Sequence, residues 1–251
     1  MGRSRDRRAL AQGAVAGTGT KSKRSGEIGG VSPGTGDPAV TPLSLEQISG
    51  IILAGGRSRR LGADKREVRV GGAALLDRAV ALCAPLVDDL VITARESGQP
   101  RGGVPVIADE IPDRGPMAGL LTGLRHCRHP RALVIPVDMP LLTVEFLRFL
   151  IQAGTGAAIT VPRWRRGIEP LVGVYTRACS APLAERVAGG ATAVHAFIQS
   201  AALTVRVVDA PEIEAFGPPE RLFFNINTPE DVAAAEAMLA EGIRPSRSGP
   251  P

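Results

Sequence analysis

Gly50-Ile51-Ile52-Leu53-Ala54-Gly55-Gly56-Arg57-Ser58-Arg59-Arg60-Leu61-Gly62-Ala63-Asp64-Lys65 is the stretch on which both fold and chemistry turn. Its opening apolar run is short enough for a buried strand. The run breaks into a glycine pair, and Arg57, Arg59, Arg60 and Lys65 follow. Glycines after a strand let backbone amides approach an anion with no Cβ in the way. Amide donors beside positive charge suit the phosphates of a nucleoside triphosphate. A strand–turn with a solvated basic face is the alternative. Neither common phosphate loop fits. The GxxxxGK[ST] spacing fails because Ala63 follows Gly62 and no Ser or Thr follows Lys65, and GxGxxG is absent.

Beyond this stretch, apolar runs alternate with amphipathic ones. Strands are expected at Ile51–Leu53, Leu90–Thr93, Val104–Ala108, Leu133–Val137, Ala158–Val161, Leu171–Tyr175, Leu203–Val208 and Phe223–Ile226. Several are β-branched and apolar on both faces, as a sheet covered on both sides requires. Helices are expected between them at Ala73–Ala84, Met117–Cys127, Val144–Gln152, Ala178–Val187, Ala191–Ser200 and Pro229–Ala240. The last has Thr228 as its cap, Pro229 in its first turn and Glu230-Asp231 at the positive end of its dipole. This alternation predicts an α/β fold: a three-layer α/β/α sandwich, Rossmann-like, around a mostly parallel sheet. Residues 1–47 are rich in Gly, Ser, Thr, Pro and Arg and read as a disordered tail. The globular domain is expected over 48–242, with a short tail of Pro, Ser and Arg over 243–251.

With 44% hydrophobic and 22% charged residues in 251, the chain has the make-up of a globular domain with a substantial core. A net charge of +5 with only 3% aromatics fits an anionic small molecule better than stacked nucleic-acid bases. Cys83, Cys127 and Cys179 show no zinc spacing, and their sparse, odd number favours a reducing cytoplasm. No apolar run is long enough to span a membrane, and the N-terminus lacks the apolar core of a signal peptide.

In open α/β sheets ligands sit at the carboxyl ends of strands. The third expected strand is followed by Asp109, and the fourth by Asp138, in Val137-Asp138-Met139-Pro140. A carboxylate there is poised for Mg²⁺, which takes one or two carboxylates together with substrate phosphates and water. Asp138 lies too early to cap the helix at Val144, a role that suits Thr143. Asp109 either orients a ligand or forms a turn with Glu110 and Pro112. Asn225 and Asn227 alternate along the last expected strand, so they share a face. Glu169-Pro170-Leu171 reads as either a surface turn or part of the site. Trp164 with Arg163, Arg165 and Arg166 makes a basic aromatic loop that is solvated or touches an anionic substrate. His126, His129 and His195 have no partners at catalytic spacing.

LAGGRSRRLGADK, VIADE, GPMAGL, VDMPLL, EPLVGVY and NINTPED occur in order from about Ser49 to Leu239. This ordered set resembles the nucleotidyltransferases related to molybdenum cofactor guanylyltransferase, of the nucleotide-diphospho-sugar transferase fold. The resemblance implies GTP bound by Leu53, Ala54, Gly55, Gly56 and Lys65. Thr93 and Asp109 would lie beside the nucleotide, and Asp138 would hold GTP and Mg²⁺. Arg60, Lys65 and Asp138 would carry catalysis. Glu169, Asn225 and Asn227 would face the acceptor, molybdopterin. Contacts with molybdoenzymes or cofactor-biosynthesis proteins are also implied.

The chain departs from the pattern at two places. Thr93 ends a strand where the family often has asparagine, and Arg66-Glu67-Val68 stands where the family is more apolar. Thr93 keeps open a cytidylyltransferase, or another NTP transferase on a phosphorylated acceptor. A nucleotide-binding protein without turnover is the rival from another class; Lys65 and Asp138 speak against it.

Overall fold

The computed structural model describes residues 47–55, 64–165, 167–200 and 202–243. The expected tails, apart from residues 47 and 243, lie outside these residues, and so do Gly56 and Arg60. In chain order come β1 (Ser49–Leu53), a 3-10 turn (Lys65–Glu67), the short strands β2 (Arg69–Val70) and β3 (Ala73–Ala74), and α1 (Leu75–Cys83). Then follow β4 (Asp89–Ala94), β5 (Gly98–Arg101), β6 (Val104–Ala108), α2 (Pro116–His126), β7 (Arg131–Pro136) and α3 (Val144–Ala153). The remainder is β8 (Ile159–Trp164), β9 (Gly167–Ile168), β10 (Gly173–Thr176), α4 (Ser180–Ala188), α5 (Val194–Ser200), β11 (Val205–Val208), α6 (Ala210–Glu214), α7 (Pro219–Leu222) and α8 (Pro229–Ile243).

The main sheet runs β11-β8-β10-β7-β1-β4-β6-β5, with β9 paired to β8. β1 pairs in parallel with β4 on one side and β7 on the other. β6 and β11 also join in parallel, while β10 is antiparallel between β7 and β8. Alternate residues of each central strand feed opposite layers. Ile52, Ile92 and Ile135 pack with α1 and α3, whereas Ile51, Leu53 and Val134 pack with α2 and α4. Every residue of β1 is buried. Each such aliphatic side chain contributes about 1.5–3 kcal/mol of burial free energy. This is the expected three-layer α/β sandwich.

The chain leaves β1 toward β4 and β6, and later crosses to β7 on the opposite side. The order therefore reverses between β1 and β7, and a crevice opens at the carboxyl ends of strands about such a point.

One expected strand is absent. Phe223–Ile226 is not a ladder, because the preceding residues are drawn into α7 and the following ones into the start of α8. The Phe223 amide donates to Pro219 O (2.9 Å), and the amides of Asn227 and Thr228 donate to Asp231 Oδ2 (2.8 Å each). Only Ile226 N makes a strand-like bond, to Asp138 O (2.9 Å). Thr228 does cap α8: its Oγ1 accepts from Asp231 N at 3.3 Å. Those two amide bonds, Asn227 foremost, hold the Asp231 carboxyl below its ordinary range. Thr143 likewise caps α3, accepting from Phe146 N at 3.3 Å.

Candidate functional site

Four strand ends converge on one cavity of about 190 Å³. Its walls include Leu53 and Gly55 after β1, Thr93 of β4, Asp109 after β6 and Asp138 after β7, with Lys65, Gly119 and Leu171. Neighbouring strands pin these ends. Ala54 N donates to Thr93 O (2.8 Å), Val137 N to Leu53 O (3.0 Å) and Asp109 N to Ala94 O (2.8 Å). Gly115, with φ 62°, turns the chain into α2 in a conformation L side chains rarely adopt. Gly115 and Pro116 line the cavity, so the positive end of the α2 dipole sits at its wall.

At one end of this cavity Lys65 meets Asp138. Lys65 Nζ donates to Asp138 Oδ2 at 2.7 Å and to Asn227 Oδ1 at 2.9 Å. Both charged side chains are largely withdrawn from solvent, at 13% and 19% exposure. Asp64 positions the lysine locally by capping the 3-10 turn. Its Oδ1 accepts from Arg66 N at 3.0 Å, and the Arg66 guanidinium clasps the same carboxylate, with 2.6 Å to Oδ2. Hydrogen bonding to that side chain holds the Asp64 carboxyl below its usual range. Glu67 anchors the far end of the turn to Arg101 at 3.0 Å. The polar pair Arg66-Glu67 thus fastens the turn that carries Lys65.

At the other end, Thr93 Oγ1 and Asp109 Oδ1 are buried without hydrogen-bond partners. Burial pushes the Asp109 carboxyl up to about 6. Gly119 of α2 leaves the space between them open, since a Cβ there would come within 3.0 Å of Thr93 Oγ1 and 3.4 Å of Asp109 Oδ1. A Cβ on Gly55 would stand 3.2 Å from Asp109 Oδ2. Buried polar atoms are ordinarily paired, so these orphans are suited to a polar ligand.

The acceptor-side residues divide. Asn227 joins the site through Lys65. Asn225 is exposed, and the two asparagines do not lie on a strand. Glu169 is half-buried, and its Oε1 accepts from the Trp164 indole N–H at 3.2 Å. Burial raises its carboxyl above the ordinary value. A larger cavity of about 520 Å³, walled by apolar residues such as Leu75, Ala79, Ile135 and Leu142, contains none of the residues predicted for the site. Among the described residues no histidine lines either cavity: His126 Nδ1 lies 2.9 Å from Thr122 O, and His129 Nε2 lies 2.8 Å from Asp88 Oδ1.

Residues 50–213 match the MobA-like NTP transferase domain. The chain belongs to the MobA-like NTP transferase family. Probable molybdenum cofactor guanylyltransferases from Chloroflexus aggregans and Natronomonas pharaonis are 36% and 37% identical to it. The first alignment covers 76% of this chain and 95% of the relative, and the second 76% and 98%. A solved molybdopterin-guanine dinucleotide biosynthesis protein A from Archaeoglobus fulgidus superposes with a TM-score of 0.67 at 25% identity, over 77% of this chain and all of that one. As a MobA-like transferase, the chain is a nucleotidyltransferase. Among its described residues, no helix is long and apolar enough to cross a membrane.

Among the described residues no group of three or more His, Cys, Asp or Glu is placed to hold an ion. Asp138 fits the other arrangement, one carboxylate shared with substrate phosphates. Its Oδ2 is held by Lys65, while Oδ1 is buried and has no hydrogen-bond partner. The residues present therefore fit a divalent cation brought in with a triphosphate.

Sequence reasoning missed Asp64 as the residue that positions Lys65. The signal was available, because an aspartate directly before a short polar turn is a common cap. It also missed the bond from Trp164 to Glu169, which only the β8–β9 hairpin brings together.

Proposed function

We propose that this chain transfers GMP from GTP to the terminal phosphate of Mo-molybdopterin, the molybdenum-loaded molybdopterin, and releases pyrophosphate. An oxygen of the acceptor phosphate attacks the α-phosphorus, and the bond from that phosphorus to the bridging oxygen of pyrophosphate breaks. The reading is carried by one observation: Lys65 and Asp138, 73 positions apart in sequence, meet at 2.7 Å on the wall of a glycine-lined cavity. The names of the relatives point to the same donor and acceptor.

Each residue has a distinct task. Leu53, Ala54, Gly55 and Gly56 supply the backbone against which the nucleotide lies. Thr93 Oγ1 and Asp109 Oδ1 meet polar groups of the nucleoside. Lys65 and Arg60 neutralise charge building on the departing pyrophosphate. Asn227 holds the Lys65 ammonium while no phosphate is bound. Asp138 would hold Mg²⁺, which when bound supplies Lewis-acid polarisation of the phosphate oxygens. Glu169 and Asn225 flank the acceptor. No protein nucleophile takes part, so catalysis rests on positioning and charge stabilisation. GTP and molybdopterin are the partners, and a cytoplasmic enzyme that meets molybdoenzymes or cofactor-biosynthesis proteins is the matching setting.

A second reading is supported by Thr93. Its free hydroxyl either donates or accepts, so it does not by itself select guanine over cytosine. A turnover assay with the four nucleoside triphosphates, Mg²⁺ and molybdopterin under reducing conditions decides. Pyrophosphate release with GTP alone is expected. Release with CTP instead moves the chain to the cytidylyl reading, and tight GTP binding without product makes it a binding protein.

A further inference from the structure

We propose that Phe223, Trp164 and Arg165 form a stacked platform, and that the outer face of the Arg165 guanidinium carries the flat pterin ring of a phosphorylated acceptor. The acceptor's identity rests on the transfer reading above. The platform itself rests on the geometry of the β8–β9 hairpin.

Three contacts fix the indole of Trp164. Phe223 lies against it with centroids 5.9 Å apart and planes at 31°. The indole N–H donates to Glu169. The Arg165 Cζ sits over the ring, 4.3 Å from its centroid. Arg165 reaches that position from φ 47°, a backbone conformation uncommon for a residue with a Cβ. Trp164 pairs with Gly167, and the two-residue loop between them calls for such a conformation at its first position. The neighbouring Arg163 is engaged by Asp209 at 2.8 Å, whereas Arg165 is exposed and forms no ion pair with a described carboxylate.

A guanidinium is flat, weakly hydrated and able to stack. Ordered over an indole, it offers a rigid surface that is both planar and cationic. A pterin bearing a phosphate is planar and anionic, so it meets both properties. The platform is tied to the transfer centre by two routes. Glu169 precedes Leu171, a wall of the cavity that holds Asp138. Phe223 precedes Ile226, whose amide binds Asp138 O. Neither route leads through Thr93 or Asp109 at the nucleoside end.

Trp164 is the only tryptophan of the chain, so its emission reports on this place alone. Titration of the full-length protein with molybdopterin, without GTP, is expected to quench that emission saturably. GTP alone should leave it unchanged. Arg165→Ala should raise the KM for molybdopterin about tenfold, with the KM for GTP unchanged and kcat within about twofold. Arg165→Lys keeps the charge but loses the plane, and should be impaired almost as much. Emission indifferent to molybdopterin at concentrations that saturate turnover would overturn the platform, and so would an Arg165→Ala enzyme with an unchanged acceptor KM. Quenching by GTP instead would make the stack a nucleoside site and equally overturn it. Absence of turnover with any triphosphate would count against the transfer reading, while the titration would still decide the platform.

Discussion

The two ends of the cavity, which the proposed function assigns to nucleoside and phosphates, differ: at the nucleoside end Thr93 and Asp109 present buried oxygens with no partner across the gap left by Gly119. At the phosphate end, Lys65, Asp138 and Asn227 are already joined through the lysine ammonium. The first end is a rigid mould whose unmet hydrogen bonds cost stability until a ligand arrives. The second is internally satisfied on one carboxylate oxygen, so the proposed triphosphate would exchange the lysine's partners. In the proposed function, binding thus falls to the parallel strands, and catalysis to side chains that change partners.

The largest effect that would break this contrast is expected at the phosphate end. Lys65→Met should lower kcat about 1000-fold, as loss of a charge facing the reacting phosphates does. Steady-state rates at saturating GTP measure it; a loss confined to KM would show that the lysine serves binding alone. Asn227→Ala removes only a partner of the resting ammonium and should cost about tenfold at most.

Two glycines on the same face of α2 separate binding from packing. Gly119→Ala places a methyl against Thr93, Leu53 and Asp109, and should raise the GTP KM about tenfold. It also replaces a glycine inside a helix, which favours folding by about 1 kcal/mol and offsets part of the crowding at Thr93 and Leu53, so Tm should fall less than in Gly123→Ala. Gly123→Ala meets Ile51 at 2.6–2.9 Å in the closed core and should lower stability by about 1–3 kcal/mol, leaving the GTP KM unchanged. Thermal melts run beside GTP kinetics distinguish the two, and equal behaviour would dissolve the distinction.

The smallest effect concerns pH. The Asp109 carboxyl, raised from 3.8 to about 6, favours the folded state when protonated. Its contribution to stability is complete below the unfolded value and is lost as pH rises through about 6. Asp109→Asn, neutral throughout, should therefore raise Tm at pH 8 and change it little at pH 4. An ionised Asp109 accepts from nucleoside donors, so wild-type GTP affinity should weaken, by less than about tenfold, as pH falls through 6. The asparagine variant should lack that step.

Part of the smaller cavity's wall was legible because Gly55, Asp109 and Asp138 stand just after apolar strands. Ile51–Leu53, Val104–Ala108 and Leu133–Val137 announce Gly55, Asp109 and Asp138 by position alone. Period-two burial then decides which residues enter the two cores. Other elements were harder to read. β5 reads Gly-Gln-Pro-Arg and carries no apolar alternation, so nothing local marks it as a strand. Phe223–Ile226 has the apolar content of a strand, yet turn and cap hydrogen bonds on both flanks outcompete a ladder. Asn227 reaches Lys65 for a reason other than strand alternation: its place follows from the cap of α8 and from the lysine. Trp164 and Glu169 meet only because β8 and β9 pair, a register that short strands do not encode.

The most direct measurement compares pyrophosphate release by the wild type and Asp138→Asn, with GTP, Mg²⁺ and molybdopterin. Asparagine keeps the size and an oxygen for Lys65, but removes the charge that faces metal and phosphate. The wild type should turn over and the variant should fall below detection while still folding. An Asp138→Asn enzyme that retains wild-type release would contradict the account.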